Sequence, residues 1–168
     1  FDGAGMACPF NGCDPSITVA CKFVFADRTA LKIAADLWVS SSPATAMAPP
    51  HRYLDISWWD VGAVGDMSSL FADAATFNAD LSKWDVGKVT TLREIFFNAP
   101  TFNSDVSKWA TSKVTTLHGA FHKAGAFAGD VSSWDTSRVA VLLAAFYDAT
   151  SFNADLSKWQ VAKVTGME

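Results

Sequence analysis

No run of basic residues occurs in this chain: its 13 Lys and Arg are scattered among 17 Asp and Glu, for a formal charge of −4. That balance argues against a nucleic-acid footprint or an anionic membrane surface, both of which need concentrated positive charge. Long apolar runs are missing too. The longest, Val139 to Tyr147, is bounded by Arg138 and Asp148 and is far too short to span a bilayer. Cysteine is scarce: Cys8, Cys13 and Cys21 are all there is. They sit in a Gly-Pro-Asn-rich start that cannot build its own core, so a disulfide among them is expected if the compartment is oxidising. Their gaps of five and eight residues match no zinc or iron–sulfur pattern. A Ser-His-Asp order, paired catalytic carboxylates, a P-loop and a dinucleotide fingerprint are absent as well, which points away from an enzyme and away from a cofactor. The chain opens at Phe1 without a charged and then apolar leader and reads as a processed product, or as part of a longer one, whose targeting segment is missing; a secreted, cell-surface or organelle-lumen location is expected.

What the chain has instead is a period. Trp59, Trp84, Trp109, Trp134 and Trp159 recur every 25 residues without insertion, and the same register carries Phe71, Phe96, Phe121 and Phe146, then Phe77, Phe102, Phe127 and Phe152. Repeats of 20 to 50 residues mean units that bury their apolar faces against one another rather than within themselves. The aromatic columns are therefore expected in the core. Within a unit, Val89, Leu92, Phe96 and Ala99 share one helical face, and Pro100 stops that pattern. Phe77 to Lys83 looks extended, with Leu81 pointing inward as a rung of a parallel sheet. The expected fold class is thus an α/β solenoid, a leucine-rich-repeat-like stack of strand-plus-short-helix coils with an N-terminal helical cap.

The boundaries follow. Residues 1–21 form an irregular cysteine-containing segment and 22–53 the cap. The cap comprises a short strand at Lys22 to Ala26, a helix at about Arg28 to Val39 behind the N-cap Asp27, and a Pro- and Ser-rich loop. The solenoid runs over 54–168, with units 54–78, 79–103, 104–128, 129–153 and a partial 154–168. A stack cut inside a unit exposes core near Val164 and Met167, so further chain or a partner is expected there.

The unit D-[LVI]-S-x-W-D-[VT]-x-x-V-x-x-[ML]-x-x-x-F-x-x-A-x-x-F-N resembles that of the BspA-like leucine-rich-repeat surface proteins, and Phe25 to Trp38 looks like the leader that precedes such arrays. The resemblance implies a leucine-rich-repeat solenoid displayed on a cell surface, with adhesion or protein binding as its role and no catalytic residues. Ala110 and Gln160 depart from the Asp that follows Trp elsewhere, and Ala128 departs from Asn.

Candidate sites lie on the variable columns. Asp55, Asp80, Asp105, Asp130 and Asp155 would stack five carboxylates, which are expected to accept backbone N–H groups at turns. The alternative is calcium along Asp80, Asp105, Asp130 and Asp155, although that ion wants six to eight oxygens. Asn78, Asn103 and Asn153 read as a turn ladder. Lys83, Lys108 and Lys158 read as a solvated column broken by Ser133. His118 and His122 have a spacing that can chelate zinc but lack a third ligand. Phe97, His122 and Tyr147, beside His118 and Leu143, make an outer strip more apolar than a solvent face requires. That strip and the edge at Val164 and Met167 are the expected partner-binding surfaces. Together these readings describe a non-catalytic scaffold or protein-interaction module, an accessory or structural subunit of a larger assembly that includes a membrane-associated complex among its candidates. The other reading is an extracellular adhesin that binds its ligand with calcium on the Asp ladder.

Overall fold

Residues 23–40 and 55–167 are described by the computed structural model, and Cys8, Cys13 and Cys21 lie outside the described residues. One α-helix is present among them, α1 (Arg28–Ser40), together with a single 3₁₀ turn at Ile56–Trp58. Asp27 starts α1 by accepting the Ala30 N–H at 3.0 Å, as an N-cap does. The helix buries Leu31 and Ala35 on one stripe and sets the Trp38 ring edge-on to Phe77 at 5.5 Å. The strand expected at Lys22 to Ala26 is reduced to one bridging residue, Val24, paired in parallel with Asp60.

The α/β solenoid of strand-plus-helix coils, and with it the leucine-rich-repeat reading, is not what the chain forms. Among the described residues there is no strand and no α-helix within the repeats, and the only β pairing between successive units is a set of isolated parallel bridges: Asp66 with Thr91, Thr91 with Thr116, Thr116 with Val141 and Val141 with Gly166. The reason lies in the backbone. Where a helix was expected at Val89 to Ala99, Glu94 and Asn98 have φ of 54° and 51°. A left-handed residue every fourth position breaks the repeating i to i−4 bond on which a helix depends.

Those left-handed residues recur in register. Ser69, Glu94, Gly119 and Ala144 form one column, and Asp73, Asn98, Lys123 and Asp148 the other. A left-handed residue at every fourth position lets every second N–H group point the same way along the stack. Thus Leu92, Glu94, Phe96 and Asn98 all donate to the next unit, to the carbonyls of Thr116, His118, Ala120 and His122, at 3.2, 2.8, 2.9 and 2.7 Å. The intervening amides close tight turns on their own unit, as Ile95 does on Leu92 and Phe97 on Glu94. Backbone polar groups are satisfied between coils without any strand. The segment Asp80 to Lys83, expected as a sheet rung, is likewise a turn: Ser82 N–H bonds Asp80 Oδ1 at 2.9 Å and Trp84 N–H bonds Leu81 O at 3.1 Å. Leu81 is buried all the same.

Inside this frame the aromatic columns stack. Each coil pairs two Phe rings face to face, Phe96 on Phe102 at 3.7 Å and Phe121 on Phe127 at 4.0 Å. Each ring also meets its equivalent one coil away, Phe96 against Phe121 at 5.5 Å and Phe102 against Phe127 at 5.9 Å. Every Trp from the second onward donates its indole N–H to the preceding coil: Trp84 to Ile56 O, Trp109 to Leu81 O, Trp134 to Val106 O and Trp159 to Val131 O. Trp59 packs on Phe25 at 5.0 Å, where a preceding coil would lie, and among the described residues its Nε1 has no acceptor. Arg28 completes this end of the stack. Its guanidinium donates twice to Ser68 O, at 3.0 and 2.8 Å, substituting for the amides that an earlier coil would offer.

Left-handed backbone is costly for any residue with a Cβ, by about 1 to 2 kcal/mol. Ala144 sits at φ 52°, in the column that already holds Gly119 at φ 58°. Ala144→Gly is expected to raise stability by about 1 kcal/mol. Gly119→Ala is expected to lower it, since the new Cβ would meet Glu94 Cγ at 3.2 Å. Chemical denaturation of the two variants reads both signs.

Candidate functional site

With the core filled, the side chains left for contact are those that the stacked turns push outward. Phe97, His122 and Tyr147 follow the left-handed column of Glu94, Gly119 and Ala144 by three residues and emerge in register on three successive coils. Their rings form a ladder: Phe97 to His122 is 4.8 Å, and His122 to Tyr147 is 4.9 Å, each tilted by less than 40°. Phe97 and His122 are half-buried by this stacking, whereas Tyr147 is 62% exposed. Leu143 is half-buried. Of the expected outer strip, Phe97, His122 and Tyr147 are thus brought together through their rings.

His118 turns elsewhere. Its Nε2 lies 4.0 Å from Glu94 Oε1, and Glu94 also holds Arg93 at 3.0 Å and accepts the Ser69 hydroxyl at 3.2 Å. Glu94 thus ties three coils along the edge of the aromatic ladder. His118 and His122 engage different neighbours, and among the described residues no group of three His, Cys, Asp or Glu gathers for a metal. At the far end, Val164 packs against the core and Met167 is 60% exposed.

The Asp column performs a local task. Asp55, Asp80, Asp105, Asp130 and Asp155 each accept the N–H of the serine two residues on, at 2.8 to 2.9 Å. Four of these carboxyls are held below the ordinary carboxylate range. For Asp80 and Asp105 the main cause is the hydroxyl of Ser82 and Ser107, seconded by the backbone N–H. For Asp130 and Asp155 the N–H of Ser132 and Ser157 comes first. Asn78 and Asn103 instead join coils, each Oδ1 accepting the N–H of the residue 25 positions on, Asn103 and Ala128.

A depressed folded-state value makes ionisation favour the fold. This contribution is complete above the unfolded carboxylate value and disappears as pH falls through the folded one. Thermal melting should therefore weaken on acidification below the ordinary carboxylate range. Asn at positions 80, 105, 130 and 155 keeps an acceptor for the serine amide but has no charge to lose, so a variant with all four substitutions should show a shallower acid limb.

No helix among the described residues is long and apolar enough to cross a membrane. No curated protein and no solved structure matches the chain. A family model described as Mycoplasma protein of unknown function, DUF285, matches residues 21–129 and again 83–168. The two matches overlap across the central coils and together cover most of the sequence, the coils and the cap helix included. The chain, a stack of 25-residue turn-built coils with an aromatic core, is therefore a member of the DUF285 family.

Proposed function

We propose that the chain is a non-catalytic interaction module, a rigid stack that serves as an accessory or structural part of a larger protein assembly and docks through Phe97, His122, Leu143 and Tyr147. One observation carries the reading: a continuous ladder of three rings lies outside a core that is already complete. Apolar surface arranged in this way has no packing duty within the coil, and interface anchors are typically aromatic. The resemblance of the repeat to BspA-like surface proteins supports a position outside the cytoplasm. The calcium-dependent adhesin reading has less behind it, since each carboxylate of the ladder already serves a serine amide.

The paired substitution Phe97→Ser and Tyr147→Ser is expected to leave the melting temperature close to that of the parent and to weaken association with the native assembly by about 2 kcal/mol or more. Recovery of the same partners in equal amount by the folded double variant would rule this face out.

A further inference from the structure

A histidine forms the middle rung of the aromatic ladder. The ring of His122 has the Phe97 ring 4.8 Å away on the preceding coil and the Tyr147 ring 4.9 Å away on the following one. Ala72 holds the equivalent position in the first coil, so the column is otherwise small or aromatic. His122 is half-buried and takes part in no salt bridge among the described residues. The rings on either side of it offer a cation π density rather than a countercharge.

Imidazole is the side chain whose charge ordinarily changes between pH 5 and 8. A neutral ring here completes an apolar strip. A protonated one puts a full charge at its centre, and an apolar surface laid over that charge takes it out of water without pairing it, which is costly. The charged groups nearby do not supply the pairing. On the same coil Lys123 is a like charge, and His118 faces Glu94 at 4.0 Å. On the preceding coil Glu94 is shared by Arg93 at 3.0 Å and by the Ser69 hydroxyl at 3.2 Å, while Asn98 is neutral and gives its side-chain amide to Asp73. On the following coil Asp148 comes after Tyr147 in the chain and forms no salt bridge with His122.

We propose that the ladder is a contact surface gated by pH: it holds an apolar partner surface while His122 is neutral and lets it go as His122 gains a proton. The inference rests on the docking role proposed above. Because the partner favours the neutral form, binding expels the proton, and affinity rises with pH. An acidic partner would invert that sign by setting a carboxylate over the cation. The net charge of −4 and the carboxylates of Glu94 and Asp148, on the coils before and after His122, oppose such a partner.

Immobilised phenyl groups are an apolar probe of defined chemistry. Retention of the folded chain on a phenyl matrix at constant salt is expected to fall by at least about threefold from pH 8 to pH 5.5. His122→Phe should keep the pH 8 retention at both values, and His122→Gln should be held more weakly and without change between them. Variants at the other two histidines, His51→Asn and His118→Asn, should follow the parent. The paired Phe97→Ser and Tyr147→Ser substitution reads the docking surface itself and should lower retention at both values. If that pair is retained like the parent, the ladder is not the apolar contact surface, and the docking role falls together with the gate. If the pair loses retention while the parent does not respond to pH, or if His122→Phe keeps the parent's response, the gate alone is overturned. Stronger retention of the parent at pH 5.5 would overturn it as well.

Discussion

Trp109→Ala is expected to destabilise the protein by roughly 3 to 5 kcal/mol, the range for a large aromatic removed from a packed interior. Trp109 is 3% exposed, stacks on Trp134 at 6.2 Å and on Phe96 at 6.1 Å, and donates its indole N–H to Leu81 O at 3.2 Å. Its coil has neighbours on both sides, so neither can close over the space left behind. Trp109→Phe separates the two contributions. It keeps an aromatic ring in the column and removes the indole donor, so that Leu81 O keeps only the Trp84 N–H, a loss of about 0.5 to 1.5 kcal/mol for the one hydrogen bond. Urea denaturation of the two variants should rank them in that order, and an unmoved midpoint for Trp109→Ala would contradict the packed aromatic column.

Adjacent residues should respond in opposite ways. Phe96 is fully buried and touches five rings, Phe71, Phe77, Phe102, Trp109 and Phe121, so Phe96→Ala should cost about 3 to 5 kcal/mol. Phe97, one residue on, stacks on His122 alone among the described aromatic rings, and Phe97→Ala should cost under about 1 kcal/mol. Partner binding should show the reverse order. The contrast arises because the coil turns Phe96 into the stack and Phe97 away from it.

The period of 25 was plain in the sequence, and with it the burial of the Trp and Phe columns, because a strict register of large aromatics has few other uses. The turn role of Asp80 and its equivalents was also readable, because Asp commonly accepts backbone N–H groups at turns. The local conformation was not. Val89, Leu92, Phe96 and Ala99 match one face of a helix, yet the same spacing suits a coil with a left-handed residue at every fourth position, and periodicity alone does not separate the two. Asn98 and Asp73 tolerate a positive φ, which could have served as a signal. Glu94, Lys123 and Ala144 give no such hint. There the demand comes from the neighbouring coil, whose carbonyls the aligned amides must reach.

The amide of Asn98 decides between the two backbones. In a helix over Val89 to Ala99 its N–H would bond Glu94 O, four residues back. In the stacked coils it donates to His122 O in the next unit, at 2.7 Å. Scalar coupling across the hydrogen bond, measured by NMR on isotopically labelled protein, identifies the accepting carbonyl directly. A coupling from the Asn98 nitrogen to the His122 carbonyl carbon is the expected result. A coupling to the Glu94 carbonyl carbon would contradict the turn-built stack.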